Sequence, residues 1–446
     1  MPSLAIVDQT VSAGGVERFL HGLVGGLLEL PDIKAWDLTI LLNRYNSGGY
    51  LVRWPEHIAA PNLHIHYLFD DSRLGRFCHR LANGQRIWGI PGTGRVQRLI
   101  PWLLRRYGTS GLLRHAGDAR SWIEHYCLQR QFDVVYFSYP YGIKCPRITA
   151  PMVATPHDFN YKRFNTLGPV TCAQIDSQMP EWLRSCRSLI VSSEFMASEL
   201  RYFYPEFTDK VRVVRLGIPE GNRAPTQVEL EDYRKRAGLP QDFLLTVGWV
   251  VAHKNQKVVF EALGDLWAKG NSISLVCVGP NSDQLQPGSK RRAIKYVREV
   301  LQAAEELGLQ YGRDFWGLGY VDDLDLECLY RLATAVVVPS LYEAGSFPII
   351  EAARAHCPVA CSRTPAHLEQ ANLLDNNIWL FDPTNPRDLA DVLERMLSDP
   401  GITIDRAVSA AERVRRAYSW DKAAAGYLSV FQGMLESTAI KVGSWQ

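Results

Sequence analysis

Ala335-Val-Val-Val-Pro-Ser-Leu-Tyr-Glu-Ala-Gly-Ser-Phe-Pro-Ile-Ile-Glu-Ala-Ala353 is the stretch that decides how this chain folds. Its first four residues are apolar, three of them β-branched, and read as a short strand buried on both faces. Pro348 suits the first turn of a helix over 348–356, with Ser346 or Phe347 as its cap and Glu351 one turn in. Strand, loop and helix in that order form the unit of a parallel α/β sheet. Glu343 falls in the loop, so two carboxylates flank a helix N-terminus that favours an anion. Solvated acids at a helix start would produce the same pattern.

Outward from this stretch the alternation continues. In the second half, strands are expected at 243–247 and 273–278, and helices at 256–268, 291–307, 326–332 and 389–397. Two further helical runs reach about residue 434. In the first half, strands are expected at 4–7, 36–42, 63–68, 133–137, 152–154, 189–191 and 211–215, with helices at 16–30, 119–129 and 194–202. Gly217-Ile-Pro-Glu-Gly-Asn-Arg-Ala-Pro-Thr226 separates the two series with residues that break regular structure. The expectation is an α/β chain of two Rossmann-like domains, 1–218 and 219–418, facing each other across a cleft. The linker lies near 216–240, and 419–446 forms a closing helix. Residues 43–130 fit the alternation badly and read as an insertion on the first domain.

Composition narrows the function classes. The chain has 446 residues, 46 % hydrophobic and 22 % charged, which is globular usage. A net charge of +2 excludes a polycation built to coat nucleic acid. Nine scattered Cys without a CxxC pair read as buried thiols in a reducing compartment, with no zinc site. The start, Met-Pro-Ser-Leu-Ala-Ile-Val-Asp, lacks a basic leader region, and no apolar run approaches ~18 residues. A cytoplasmic location follows as the expectation.

Charge is nevertheless uneven. Residues 73–114 hold nine Arg and no acid or Lys, interleaved with Phe77, Trp88, Trp102 and Tyr107. Such a mixture suits a membrane interface. Arg95, Arg98, Trp102, Arg105 and Arg106 are therefore candidates for an acceptor or anionic-membrane surface that would hold the protein peripherally on the cytoplasmic face. A solvated basic face over a packed insertion is the alternative, and Pro101 interrupts the helical spacing.

Three more segments could carry chemistry. In Ser12-Ala-Gly-Gly-Val-Glu-Arg18, Gly14 and Gly15 allow close backbone approach at a helix start, as would any tight strand–helix turn. Thr155-Pro-His-Asp-Phe159 places His157 just past a strand, where an α/β ligand binds, although a satisfied structural His could sit there too. Leu244-Leu-Thr-Val-Gly-Trp-Val-Val-Ala-His-Lys-Asn255 sets Lys254 at a helix start, beside an anion or simply in solvent.

Together these segments resemble the retaining GT-B glycosyltransferases of glycosyltransferase family 4, the glycosyl transferases group 1. The likeness runs through Gly14-Gly15-Val-Glu17, His157-Asp158, Val191-Ser-Ser-Glu194, Leu245–Gly248 with Lys254-Asn255, and Gly319-Tyr-Val. Glu343 and Glu351 match the E-x7-E spacing, followed by Pro358-Val-Ala-Cys-Ser362, Phe381-Asp-Pro and Ser419-Trp420-Asp-Lys. The resemblance implies transfer of a hexose, with retention, from a nucleoside-diphosphate sugar to a glycan or lipid-linked acceptor, as in cell-surface polysaccharide or glycolipid synthesis. It implies no metal and no other cofactor. Glu343 would contact donor-sugar hydroxyls, Glu351 the ribose, Lys254 the diphosphate, and His157 the transferred sugar. Gly14, Gly15, Gly248, His253, Tyr320 and the Ser346, Phe347 and Ile349 backbone would complete the donor site.

The chain departs from the family in places. Trp249 stands where a frequent Arg would, His253 where many relatives have Arg, and Glu343-Ala-Gly-Ser replaces Glu-Gly-Phe-Gly. The diphosphate thus has Lys254, with His253 as a titratable second cation. Other readings of the same fold are a sugar-nucleotide epimerase, a phosphorylase, or a non-catalytic partner that binds nucleotide-sugar.

Overall fold

The computed structural model describes residues 1–8, 15–42, 54–67, 119–141, 143–164, 168–218, 224–289 and 294–443. Among these, the first domain carries a parallel sheet of seven strands. They are β1 (Ser3–Asp8), β2 (Asp37–Leu42), β3 (Leu63–Tyr67), β4 (Val134–Phe137), β5 (Met152–Ala154), β6 (Ser188–Val191) and β7 (Val211–Val213). Their spatial order is β3-β2-β1-β4-β5-β6-β7. Around them pack α1 (Gly15–Glu29), α2 (Ala119–Arg130), α3 (Asn160–Arg163), α4 (Pro169–Ser185) and α5 (Glu194–Phe203).

The second domain repeats the plan. Helix α6 (Gln227–Ala237) precedes β8 (Phe243–Val247), α7 (Gln256–Ala268), β9 (Ser274–Val278), α8 (Lys295–Glu306) and β10 (Phe315–Gly317). Then follow α9 (Asp323–Leu332), β11 (Ala335–Val338), α10 (Phe347–Arg354), β12 (Val359–Ser362), α11 (Pro365–Leu373) and β13 (Trp379–Phe381). Helices α12 (Pro386–Ser398) and α13 (Pro400–Ala417) close the domain, and α14 (Trp420–Gly443) returns to the first one. The strand order is β10-β9-β8-β11-β12-β13. Both sheets therefore reverse direction of growth beside their first strand, at β1/β4 and at β8/β11. Ligands of open α/β sheets bind at the strands' carboxyl ends at such a reversal.

Each sheet is covered on both faces, which explains why its strands read as unbroken apolar runs. Leu4 and Ile6 face one core with Phe19, Leu23 and Phe431, whereas Ala5 and Val7 face another with Trp182 and Met196. Trp420, Ala424, Tyr427 and Phe431, spaced four, three and four apart, lay one stripe of α14 into the first of these cores. Burying Tyr427 leaves its hydroxyl to be satisfied. It lies 3.1 Å from Thr155 Oγ1, which in turn is 2.7 Å from the Tyr136 hydroxyl.

Two expectations change. Helix α6 occupies 227–237 of the linker placed at 216–240. Its start is a capping box, in which Thr226 Oγ1 accepts from Glu229 N–H at 3.3 Å and Glu229 Oε2 accepts from Thr226 N–H at 2.8 Å. Nor is 43–130 wholly an insertion. β3 pairs in parallel with β2 from Leu38↔Leu63 to Leu42↔Tyr67, and α2 buries Ile123, Tyr126 and Cys127 in the core. Helix α4 was not anticipated at all, because Pro180 inside it reads as a breaker. The eight described cysteines are buried and unpaired. Among the described residues no helix is long and apolar enough to cross a membrane.

Candidate functional site

At the end of β8 the chain turns through Gly248 at φ 145° and one 3-10 turn, Ala252–Lys254, to Asn255 at φ 57°. A Cβ on Gly279 would sit 2.5 Å from the Gly248 carbonyl, so the turns after β8 and β9 touch backbone to backbone. Asn255 Nδ2 donates to the carbonyls of Pro339 at 3.1 Å and Pro383 at 2.8 Å, and Leu341 N–H donates to His253 O at 2.7 Å. These bonds fasten the turn to the loop after β11 and bring Lys254 Nζ to 2.5 Å from Glu343 Oε1. Ser340 Oγ donates to the same oxygen at 2.7 Å. Burial pushes the Glu343 carboxyl up, but Lys254, His367 behind it and Ser340 together outweigh burial and hold it below the ordinary value of 4.5. The two residues assigned to donor sugar and diphosphate thus form one charge-assisted pair.

Opposite this pair, two helix N-termini meet across the cleft. A Cβ on Gly15, which opens α1, would lie 3.6 Å from the Phe347 ring at the start of α10. Ser346 occupies the N-cap of α10 but makes no side-chain cap. Its N–H donates to Gln370 Oε1 at 2.9 Å, and Gln370 Nε2 returns a bond to Ser346 O at 3.1 Å. This corrects the expectation for Ser346, whose N–H is already bonded. Pro348 has none to offer, so Phe347 and Ile349 carry the remaining first-turn N–H groups. Gly14 lies outside the described residues, as do Arg95, Arg98, Trp102, Arg105 and Arg106.

Glu351 is already engaged on both oxygens. Arg18 Nη1 donates to Oε1 and the Tyr330 hydroxyl to Oε2, each at 2.8 Å, while Arg18 Nη2 reaches Asp323 Oδ1 at 2.8 Å. Arg18 stands on α1, across the cleft from Glu351, and was not singled out in the sequence. Its one signal was position, in the first turn after the Gly-Gly. A ribose reaching Glu351 would compete with this guanidinium. Tyr320 sits on the loop after β10 and is exposed.

His157 follows β5, with Nε2 2.7 Å from the Ser138 carbonyl and its ring edge-on to Phe19 at 4.9 Å. A carbonyl only accepts, so Nε2 carries the proton and Nδ1 is left as an acceptor. Burial takes the imidazole down to about 4. His253 also falls to about 4, by burial first and then by repulsion from Lys254. It is therefore neutral near pH 7 and adds no charge beside Lys254. Trp249 presents 44 % of its surface.

These imidazoles make stability depend on pH in a defined direction. A His whose folded value is lowered stabilises the fold fully above the unfolded value near 6.5, and that contribution is lost as pH falls toward 4. Each such group costs on the order of 1–2 kcal/mol by pH 5. Urea unfolding at pH 7.5 and 5 should show a lower midpoint at pH 5. His157→Gln, which removes one titrating group, should narrow the gap; an unchanged gap would show that folding does not shift the His157 imidazole.

The domains are joined by bonds no local motif announces. Ser193 Oγ donates to Ala344 O at 2.7 Å, and Phe159 N–H donates to the Tyr342 hydroxyl at 3.0 Å. Glu369 accepts from Glu194 N–H at 3.0 Å and Phe195 N–H at 2.9 Å, capping α5 from the other domain. Among the described residues no three His, Cys, Asp or Glu side chains converge as metal ligands.

Residues 230–416 match the family described as glycosyl transferases group 1. They form a glycosyl transferases group 1 domain. Lys254, Glu343 and Glu351 all lie inside the group 1 domain; Gly15, Arg18 and His157 lie in the domain opposite. An uncharacterized glycosyltransferase of Methanocaldococcus jannaschii is 28 % identical over 56 % of this chain and 61 % of its own length. A D-inositol 3-phosphate glycosyltransferase of a Nocardioides species is 28 % identical over 55 % of this chain and 53 % of its own. The aligned region thus spans little more than half the length of these curated relatives. Among solved structures, sucrose-phosphate synthase from Thermosynechococcus elongatus superposes with a TM-score of 0.65 at 17 % identity, covering 98 % of this chain and 100 % of that one. At that identity the likeness concerns the fold, which is the GT-B arrangement of two facing Rossmann-like domains.

Proposed function

We propose that the protein is a retaining glycosyltransferase that moves a hexose from a nucleoside-diphosphate sugar to a glycan or lipid-linked acceptor without a metal. The observation that carries this reading is the convergence, in one cleft, of the Lys254–Glu343 pair with the facing N-termini of α1 and α10. When the donor binds, Lys254 turns from Glu343 to the diphosphate and the helix N-termini supply further positive potential. Glu343, so released, accepts from hydroxyls of the donor sugar. The bond from the anomeric carbon to the diphosphate oxygen breaks, the acceptor oxygen bonds to that carbon on the same face, and the acceptor's hydroxyl proton passes to the departing diphosphate oxygen. Negative charge grows on the departing diphosphate, where fixed donors lower the barrier most. Both curated relatives reported above are named glycosyltransferases, which supports the reading.

The test is slow donor hydrolysis, read as released nucleoside diphosphate over a panel of UDP-, GDP- and ADP-sugars. Turnover of one donor, unchanged by chelator, is the expected result. Loss with chelator and rescue by added metal would contradict the metal-free reading. Binding without turnover, even with acceptor extracts, would instead indicate a non-catalytic partner.

A further inference from the structure

Beside the Lys254–Glu343 pair the cleft opens into a cavity of about 170 Å³. That is room for five or six waters at ~30 Å³ each, and hence for a single sugar ring. Both domains build it. Tyr139, Tyr161 and Phe164 from the first domain and Trp249 from the second give it aromatic walls. Besides its tyrosine hydroxyls, its polar residues are Asp158, Asn160 and His253. Asn160 Nδ2 lies 3.4 Å from His253 Nε2, whereas the buried Asn160 Oδ1 has no partner among the described residues. Asp158 Oδ1 accepts from Asn160 N–H at 2.9 Å. Among the described residues no Lys or Arg lines the cavity. His253 is neutral near pH 7, and burial and the Glu343 charge raise the Asp158 carboxyl against the Asn160 N–H bond and the Lys254 charge, which lower it.

Among the described residues this is a site of aromatic faces and uncharged or acidic hydrogen-bonding groups, with no cation in its lining. A sugar ring has apolar C–H faces and a rim of hydroxyl donors, and it matches both. A phosphate placed here would lose its water and meet Asp158, while Lys254 beside the cavity is engaged by Glu343, the arrangement that excludes a competing ligand. From this geometry we infer that the cavity is the acceptor subsite for one uncharged sugar ring, stacked on Trp249 and bonded to Asp158 and Asn160, and that it rejects phosphorylated acceptors. The inference rests on the glycosyltransferase reading above.

The experiment titrates the full chain, saturated with the nucleoside diphosphate picked out by the donor panel, with methyl glycosides. The set is the α- and β-methyl glycosides of glucose, galactose, mannose and N-acetylglucosamine, alongside glucose 6-phosphate and mannose 6-phosphate. Binding is read by saturation-transfer NMR and calorimetry. At least one methyl glycoside should bind, and both 6-phosphates should bind at least about tenfold more weakly. Trp249→Ala should weaken that glycoside at least about tenfold and Trp249→Phe should restore most of it. Asn160→Ala provides a second variant with the same expected loss. If the nucleotide binds but no methyl glycoside does, the inference falls and the glycosyltransferase reading stands. It falls equally if the 6-phosphates bind as well, or if both Ala variants bind like the parent. If no nucleoside diphosphate binds, both fall together.

Discussion

Lys254→Ala should lower donor turnover by at least about a hundredfold, and Glu343→Ala should do the same. Removing one well-placed group that answers transition-state charge costs ~2.7–4 kcal/mol, which is a factor of about 10² to 10³. The pair also makes a second, independent prediction about stability. Glu343 is only 12 % exposed, and Lys254 Nζ is 2.5 Å from its carboxylate. Deleting the lysine leaves a buried charge whose principal compensation is gone, a change that costs up to about 3–5 kcal/mol. Lys254→Ala/Glu343→Gln should therefore be more stable than Lys254→Ala alone, although both are inactive.

The pH dependence of that loss has a sign. In the parent, the lowered Glu343 value contributes stability above 4.5 that disappears as pH falls through the folded value. Without Lys254 the largest influence on the carboxyl is burial, which raises it, so the deficit of Lys254→Ala should shrink as pH falls from 7 toward 4.5. Urea unfolding of parent, single and double variants at both pH values measures it. Turnover within a few-fold of the parent for both Ala variants would remove the pair from the chemistry.

Which parts of this site were legible in the sequence follows from how each residue gets there. Lys254, Glu343, Glu351, His157 and Gly15 sit at or just past strand ends, so the strand–loop–helix alternation alone brings them to one edge of each sheet. Arg18, Gln370 and Glu369 act across the cleft or between non-adjacent elements, on residues 333, 24 and 175 positions away. No local spacing can announce such a bond. The engagement of Ser346 N–H was hidden for the same reason, since a helix N-cap followed by Pro reads as free until Gln370 is placed beside it. Helix α6 is a different case. Its capping box, Thr226 with Glu229, stood in the sequence but was masked by the Gly- and Pro-rich run before it.

The docking of α14 on the first domain turns on one indole. Trp420 begins α14, is 9 % exposed, and lies in a socket of three glycines. A Cβ on Gly22 would fall 2.0 Å from Trp420 Cε2, and one on Gly217 would fall 2.4 Å from Cδ2. On Gly26 it would fall 2.7 Å from the Trp420 backbone oxygen. Trp420→Ala should destabilise the chain by ~3–5 kcal/mol, the range for emptying a buried aromatic site. Gly22→Ala in a helix would normally gain up to about 1 kcal/mol of helix propensity. Here overpacking should reverse the sign to a loss of ~1–3 kcal/mol or more. The combination separates side-chain from backbone crowding. In a Trp420→Ala background the vacated indole leaves room for the new methyl, so Gly22→Ala should become neutral or stabilising. Gly26→Ala should stay costly there, because the atom it strikes belongs to the backbone and remains. Equilibrium urea unfolding of the three single and two double variants gives the coupling energies directly. A Gly22→Ala penalty that persists at full size without the indole would show that α14 does not dock on α1 through this ring.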